Sequence, residues 1–255
     1  MKLIETTIFI LSFSSFVFTT PITFSAIPDA PKEFVIIQGV SDKSVCVAQF
    51  DDSISSIGWA TLSLTSDPKF SDLLQVPGCG FLEGFITQKR IWQNWVNSNW
   101  TEISPKALEF ERQNCEWIAS RHSALPKEEF YNQAVLVIEQ RNAMWRGYSA
   151  SAPKEQRLTH ENFIQMSLGD ELGDINNALE IGQHKRFSEM TPAEVFASIR
   201  KREHCSVLIK ATADLSDLIV SHNTWGSYRN LLRVLKLYRF KPSNVASNGV
   251  VFYGY

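Results

Sequence analysis

The chain has 255 residues, of which 44% are hydrophobic and 20% charged, and its formal net charge is −2. This composition is typical of a globular protein with one or two domains. The near-neutral charge, with no basic stripe or acidic tail, argues against a nucleic-acid or polyanion partner.

The N-terminus has the pattern of a secretory signal. Met1 and Lys2 precede an uncharged apolar stretch from Ile8 to about Thr20. This stretch is shorter than the roughly 20 residues that a helix needs to cross a bilayer. Small residues follow it in "TFSA", so we expect a signal peptide over residues 1–25, cleaved near Ser25, and an exported mature protein. The alternatives are a membrane anchor and a buried strand.

Export would bring the cysteines into an oxidising compartment, where disulfides persist. Four cysteines allow two bridges in three possible pairings, but a catalytic thiol would leave one bridge and one spare cysteine. The sequence does not choose among Cys46, Cys79, Cys115 and Cys205. "NWT", which begins at Asn99, is a glycosylation acceptor and should lie on the surface of an exported chain.

The first structural segment after the signal predicts a β layer. A proline-rich lead, "IPDAPKEF", is followed by "FVIIQGV" and "KSVCVAQF", which have the composition of strands. "SISSIGWATLSL" alternates in part between apolar and polar residues. We therefore expect an antiparallel layer from about Phe34 to Leu64.

Residues 84–203 predict a mainly helical segment. Ser104 followed by Pro105 is a good helix start. Thr191, Pro192 and Glu194 have the spacing of a capping box, in which the threonine oxygen and the glutamate satisfy the free backbone donors of the first turn.

Strand-like patterns return at Cys205. "CSVLIKAT" and "SDLIVSH" predict two strands joined by a turn around Ala213–Leu215. "TWGSYRNLLRVLKLYRF" predicts a helix with Tyr228 and three leucines on one face, and "NGVVFYGY" predicts a last strand. The order of strands, helices and strands favours an α+β fold. A strand that runs to the last residue would be a poor sheet edge, so we expect a truncated chain or a fragment.

Most familiar catalytic motifs are missing from the sequence. It has no phosphate loop, dinucleotide glycine fingerprint or His-Glu-x-x-His stretch, and no Gly-x-Ser-x-Gly elbow. Cysteine pairs at zinc-finger spacing are absent and the five histidines are scattered. We expect neither a metal nor a cofactor.

Cys205 is the remaining candidate nucleophile. Cleavage of the His204–Cys205 bond would give it a free α-amine, with an ordinary pKa of about 7.7–8.0, which could act as the base for its thiol. A hairpin of the next two strands would bring His222 and Asn223 near, where they could stabilise an oxyanion or orient a carbonyl. By composition alone, a buried structural cysteine and a hydrogen-bonded strand-end histidine are the favoured interpretation.

Several stretches nevertheless resemble one known family. "HCSVLIKATADLSDLIVSHNTWGSYRNLLRVLKLYRF", "GFLEGFIT" at residues 80–87 and "MSLGDELGDI" at residues 166–175 closely resemble, in order, the phospholipase B-like (lamina ancestor-like) family. The "HNTW" block is the most specific of these matches. Family members are longer than this chain, and the part without a counterpart here contains further strands and active-site residues.

The resemblance implies an N-terminal nucleophile hydrolase with an αββα sandwich, incomplete at the C-terminus. It implies that His204–Cys205 is cleaved autocatalytically, which divides the chain after the signal into residues 26–204 and 205–255. Cys205, His222 and Asn223 would be catalytic, with Thr224 and Trp225 in the substrate pocket, whereas Glu83 in "FLEGF" would hold helix to sheet.

The implied protein is secreted or lysosomal and glycosylated. It would remove acyl chains from phospholipids or from related ester or amide lipids, with peripheral contact to membrane lipid. The alternative is a truncated, non-catalytic secreted glycoprotein that binds lipid or a protein partner. A third interpretation is a structural domain in which Cys205 is part of a disulfide.

Overall fold

The main sheet combines strands from both ends of the chain. A computed structural model describes residues 20–100, 102–179, 187–200, 205–224, 228–243 and 250–254. The strands within these ranges are β1 (Ile22–Ala30), β2 (Glu33–Gln38), β3 (Cys46–Asp51), β4 (Ala60–Ser66), β5 (Cys205–Ala211), β6 (Leu218–Thr224), β7 (Val234–Arg239) and β8 (Val250–Gly254). Six of them form one sheet in the order β2-β1-β3-β4-β7-β8, and β5 and β6 form a separate two-stranded sheet.

The large sheet is antiparallel except at the joint between its early and late strands. β4 pairs in parallel with β7, with Ala60 opposite Val234 and Thr65 opposite Arg239. Alternate residues of β4 are buried, including Leu62 and Leu64, because successive side chains point to opposite faces of a strand. One face of β4 therefore contributes to the core.

Helices fill the chain between β4 and β5. They are α2 (Asp72–Ile86), α3 (Gln88–Ser98), α4 (Pro105–Ala124), α5 (Glu129–Ser151), α6 (His160–Ser167), α7 (Leu172–Leu179) and α8 (Pro192–Arg200), and the short α1 (Ile54–Ile57) precedes β4. Within the described ranges, no helix is both long and apolar enough to cross a membrane.

The core lies between the sheet and α2, which is covered in turn by α5. Leu62 and Leu64 of the sheet share one buried cluster with Phe81 and Leu82 of α2 and Ala143 of α5. A second cluster joins Tyr148 of α5 to the region of α6. α2 is therefore an internal helix, with a run of ten buried residues from Gln75 to Gly84.

Glycine makes the close crossing of α2 and α5 possible. A Cβ added to Gly147 would lie 1.9 Å from the Phe81 carbonyl oxygen, and one added to Gly84 would lie 2.0 Å from that of Met144. Both distances are far below van der Waals contact, so only residues without a side chain fit.

The expected α+β fold and the antiparallel β layer are confirmed. Both predicted helix starts are confirmed as well. Ser104 caps α4 by accepting a hydrogen bond from the Ala107 N–H at 3.2 Å. At the start of α8, the Thr191 N–H donates to the Glu194 carboxylate at 2.8 Å.

Two predictions about the elements are wrong. The segment predicted as a helix after Thr224 forms a short 3-10 turn at Tyr228–Asn230 and then β7. Pairing with β4 stabilises the extended conformation there, so tertiary context outweighs the helical spacing of the leucines. The antiparallel layer also begins earlier than the predicted Phe34, because Ile22–Ala30 form β1. The proline-rich lead supplies the end of β1 and the turn into β2.

β1 also bears on the predicted signal boundary. Ser25 and Ala26 are fully buried, and β1 pairs with both β2 and β3. Cleavage after Ser25 would remove the first four residues of this strand. The signal peptide remains a prediction, and most of it lies outside the described residues.

One disulfide links the sheet to its covering helix. Cys46 at the start of β3 is bonded to Cys79 in the middle of α2, and both are fully buried. Cys115 and Cys205 are free thiols. Of the alternatives that the sequence left open, the structure contains one bridge and leaves Cys205 unpaired.

Candidate active site

The candidate nucleophile lies at the first residue of the β5–β6 hairpin. The turn of this hairpin is fixed by its own polar groups: the Thr212 N–H donates to the Asp217 carbonyl, and the Asp217 N–H donates to Thr212 Oγ1, both at 3.0 Å. Leu215 adopts a φ of 59° within the turn. These contacts set the register of the two strands and so determine which residues come close to Cys205.

The register brings the predicted site residues to one end of the hairpin. Cys205 lies opposite Thr224, Ser206 opposite Asn223, and Val207 opposite His222. The predicted proximity of His222 and Asn223 to the start of the first strand is therefore found.

The two polar residues differ in the face of the hairpin on which they lie. Directly opposed residues share a face, and faces alternate along each strand. Cys205 and His222 are consequently diagonal neighbours on the same face, a relation that places residues about 7–8 Å apart. Asn223 lies with Ser206 on the other face.

Cys205 differs from the buried structural cysteine that composition alone favours. Its side chain is exposed and its thiol is free. His222 is exposed too. An accessible thiol and an imidazole on one face are suited to nucleophilic attack on a carbonyl group, provided that a base removes the thiol proton.

The other free thiol, Cys115, has a different environment. Burial, and then the neighbouring Glu111 carboxylate, raise the pKa of the Cys115 thiol. Its Sγ donates to Glu111 Oε1 at 3.2 Å, and Arg141 Nη1 binds the same oxygen at 2.5 Å. A thiol that stays protonated is a poor nucleophile, so Cys205 is the better candidate of the two.

The strands that bear Cys205 and His222 expose an unusual amount of apolar surface. Six apolar side chains are between 53% and 64% exposed: Val207, Leu208, Ile209, Leu218, Ile219 and Val220. A two-stranded hairpin is marginally stable without further packing. Apolar residues exposed together in this way are characteristic of a surface that another layer or ligand covers.

Glu83 lies outside this hairpin, as predicted, and links α2 to β7. Its carboxylate is buried, accepts hydrogen bonds from the Tyr238 hydroxyl at 2.8 and 2.9 Å, and lies 2.9 Å from Lys236 Nζ. The ion pair compensates a buried charge that would otherwise be very costly. The sequence did not indicate that Lys236 and Tyr238 would be its partners, because they follow Glu83 by 153 and 155 positions.

Some predicted positions cannot be placed. His204 and Trp225 lie outside the described residues, and Thr224 is known only as the backbone partner of Cys205. Asn99 is exposed at the C-terminal end of α3, as a glycosylation acceptor requires, although the third residue of its motif is not described.

The fold and the hairpin define an α+β protein with an accessible cysteine at the start of a strand. Comparison with known proteins identifies the family: the Phospholipase B family model matches residues 46–255. The chain therefore belongs to the phospholipase B family, as the motifs predicted.

Similar proteins come from an amoeba and from mammals. The chain is 32% identical over 232 residues to phospholipase B-like protein B of Dictyostelium discoideum, an alignment of 87% of this chain and 40% of the relative. It is 30% identical to phospholipase B-like protein C of the same organism, in an alignment of 88% of this chain and 40% of the relative. It is 28% identical over 243 residues to putative phospholipase B-like 2 of Mus musculus, covering 85% of this chain and 38% of the relative. The chain thus spans about two fifths of the length of these relatives.

Proposed function

We propose that this chain carries the nucleophile of a phospholipase B-like hydrolase, and that Cys205 removes acyl chains from phospholipids or related ester or amide lipids. The observation that carries the proposal is Cys205 itself, a free and exposed thiol at the first residue of β5 with His222 on the same face. Membership of the phospholipase B family supports the reaction class.

The first proposed reaction exposes the nucleophile. Cys205 Sγ attacks the carbonyl carbon of His204, the peptide C–N bond breaks, and the amine of Cys205 keeps the proton that the thiol gives up. Water then hydrolyses the resulting thioester, which leaves a carboxylate on His204 and regenerates the thiol. The new α-amine lies beside the thiol and serves as its base.

Turnover repeats the attack on a lipid substrate. The α-amine takes the thiol proton, and sulfur attacks the acyl carbonyl carbon to form a tetrahedral oxyanion. The C–O or C–N bond to the leaving group breaks as the amine delivers the proton to that group. Water hydrolyses the thioester to the fatty acid and free Cys205.

His222 is the better placed of the two proposed partners. Because it shares a face with Cys205, its imidazole N–H can donate to the oxyanion that forms on the carbonyl oxygen when the sulfur attacks. Asn223 lies on the other face, so its proposed role in orienting substrate rests on its place near the start of β5. Thr224 and Trp225 would line the substrate pocket; this assignment rests only on the resemblance of the "HNTW" block to the family.

The proposed fold and location follow the same family. The β5–β6 hairpin would belong to the second sheet of an αββα sandwich, in which its apolar side chains would be covered. We also propose that the protein is secreted or lysosomal, with a signal peptide over residues 1–25 and a glycan on the exposed Asn99.

A second candidate function is non-catalytic binding of a lipid or a protein. The exposed apolar side chains of the hairpin favour it, since such surfaces bind partners. This alternative requires that Cys205 take no part in bond cleavage.

Mass spectrometry of the purified, non-reduced chain tests the proposal. We expect a new N-terminus at Cys205 that is lost in Cys205→Ala. Cys115→Ala is the matched control, because it removes the other free thiol and should leave cleavage unchanged. An intact chain with Cys205 in a disulfide at acidic and neutral pH would contradict the proposal.

Activity assays then separate the remaining alternatives. Fatty acid release from a phospholipid and from an N-acyl amine would be compared for the wild type, Cys205→Ala and Cys115→Ala. Release that depends on Cys205 supports the hydrolase. Binding of lipid without release, equal in all three proteins, favours the non-catalytic function.

A further inference from the structure

The large sheet has an open edge at β2. β2 is the first strand of the sheet order and pairs only with β1 among the described residues. The outer N–H and C=O groups of such an edge strand are free, and a strand of another chain can hydrogen-bond to them. β2 contains no residue of the β5–β6 hairpin, so a partner bound at this edge does not depend on the role of Cys205.

The ladder between β1 and β2 shows which backbone groups point outward. The Gly39 N–H donates at 2.8 Å to the carbonyl oxygen of Thr23, which the register places opposite it. Hydrogen-bonded and non-bonded pairs alternate along an antiparallel ladder. Two and four positions before Gly39, Ile37 and Val35 are therefore bonded to β1. The N–H and C=O groups of the residues between them point away from β1.

Phe34, Ile36 and Gln38 are the residues of β2 with outward backbone groups. Phe34 lies opposite Pro28, which has no N–H to donate, as suits a non-bonded pair. Within the described part of the chain, nothing forms a hydrogen bond with these outward groups. Free donors and acceptors therefore recur at every second residue of the edge, which is the spacing that an added antiparallel strand requires.

The edge also lacks the features that usually keep strands of different molecules apart. Charged residues and proline commonly protect an open edge. In "EFVIIQ", the only charge is Glu33 at the first position, and proline is absent. The side chains of Val35 in the strand and Val40 just after it are 47% and 73% exposed. The edge therefore combines free backbone groups with exposed apolar side chains, as expected of a surface to which another strand adds.

The pattern of outward residues is symmetric about Ile36, which fits a second copy of the same strand. When two copies of β2 run antiparallel with Ile36 opposite Ile36, Phe34 of each copy lies opposite Gln38 of the other. Every outward N–H and C=O then has a partner, because the same residues supply donors and acceptors in both copies. A two-fold axis at Ile36 relates the copies, and this is the commonest symmetry of protein dimers.

The side chains agree with this register. Val35 of each copy lies opposite Ile37 of the other, so apolar side chains pair on the face of the sheet opposite the buried Phe34. Glu33 lies opposite Gly39, and no like charges meet along the two strands. Pairing therefore covers the exposed part of Val35 without electrostatic repulsion.

We propose that two copies of this chain form a symmetric dimer through β2, with their large sheets joined antiparallel at Ile36. The contact consists of one short strand from each copy, and contacts of this size belong to the weak, reversible class of interface. Dimerisation is therefore expected in the micromolar range of concentration.

Sedimentation equilibrium of the purified chain tests the dimer. The average mass should rise from that of one copy to that of two as the concentration increases. Gln38→Pro should weaken association about tenfold or more, because proline removes an outward N–H from each copy and its ring obstructs the neighbouring strand. Gln38→Ala is the matched control: it removes the same side chain but keeps the N–H, and it should change association by less than about twofold.

Hydrogen exchange measured by NMR locates the contact. Dimerisation should slow exchange of the Phe34, Ile36 and Gln38 amides, whereas slow exchange of Val35 and Ile37 in every variant shows that β2 is still paired with β1. A monomer at every concentration would overturn the proposal. So would association that Gln38→Pro leaves unchanged, such as contact through the β5–β6 hairpin. Slow exchange of the outward amides in a monomer would also contradict it, because another segment of the same chain would then cover the edge.

Discussion

The two free thiols show how the local environment separates residues of the same type. Cys115 donates to a buried carboxylate and has a raised pKa, whereas Cys205 is exposed at the start of a strand. The sequence identified Cys205 through the motifs around it. It contained no indication that Cys115 would be held by Glu111 and Arg141, because that contact joins α4 to α5 across 30 positions.

His160 is the residue at which we expect pH to affect stability. Its ring packs on Trp145 with centroids 5.0 Å apart, and its Nε2 lies 2.9 Å from Asn142 Oδ1. Burial, and then the positive charge of Arg141, lower the pKa of His160 in the folded protein. The folded state therefore binds fewer protons here than the unfolded state, in which the pKa is about 6.5.

The contribution of His160 to stability should consequently be complete above about pH 6.5 and decline as the pH falls below that value. Chemical denaturation of the wild type and His160→Gln at a series of pH values measures this effect. We expect the free energy of unfolding to fall less steeply in the variant between neutral and acidic pH. Equal slopes for the two proteins would contradict the assignment.

At the scale of elements, α2 shows how packing can outweigh local preference. "VPGCG" contains a proline and two glycines, which weaken a helix, yet it lies inside α2. Gly80 allows α5 to approach and Gly78 leaves room for Val45 beside the sheet, and the burial of this stretch between sheet and helix stabilises it. The sequence shows that proline and glycine disfavour a helix here, but it does not show the tertiary packing that outweighs this preference.

The crossing of α2 and α5 leads to a prediction about Gly147. Gly147→Ala should destabilise the protein by about 2–3 kcal/mol, because its Cβ would force the helix backbones apart. The matched control is Gly173→Ala in α7, where a Cβ meets no atom within 4 Å. That change should stabilise the helix by about 0.5–1 kcal/mol, the usual gain of alanine over glycine. Urea denaturation of both variants measures the difference, and equal effects would refute the close crossing.

At the scale of the whole molecule, distant segments are joined in one core. β7 inserts beside β4, and its Lys236 and Tyr238 bind the buried Glu83 of α2. This joins the segment before Cys205 to the segment after it through both a strand ladder and a buried charge.

The Cys46–Cys79 disulfide acts at the same scale, because it joins the sheet to its covering helix over a separation of 33 residues. The double variant Cys46→Ala/Cys79→Ala should lose about 3–4 kcal/mol of stability, as expected for a loop of this size. Denaturation under non-reducing conditions measures the loss. Cys115→Ala, which removes a free thiol, is the control, and a double variant as stable as this control would contradict the prediction.

The sequence by itself determined the fold class, the family and the position of the candidate nucleophile. Alternating apolar residues, helix caps and turn residues are local signals, so the β layer, the start of α8 and the β5–β6 hairpin could all be predicted. The hairpin also determines which residues lie near Cys205, because a register follows from the turn that joins two adjacent strands.

Only the tertiary structure decided the relations between segments far apart in the chain. It selected the Cys46–Cys79 pairing, placed Glu83 against Lys236 and Tyr238, and formed β7 in a segment for which the spacing of leucines predicted a helix. The physical reason is that such contacts depend on which surfaces pack together in the folded chain. Local sequence patterns do not determine the free energy of that packing.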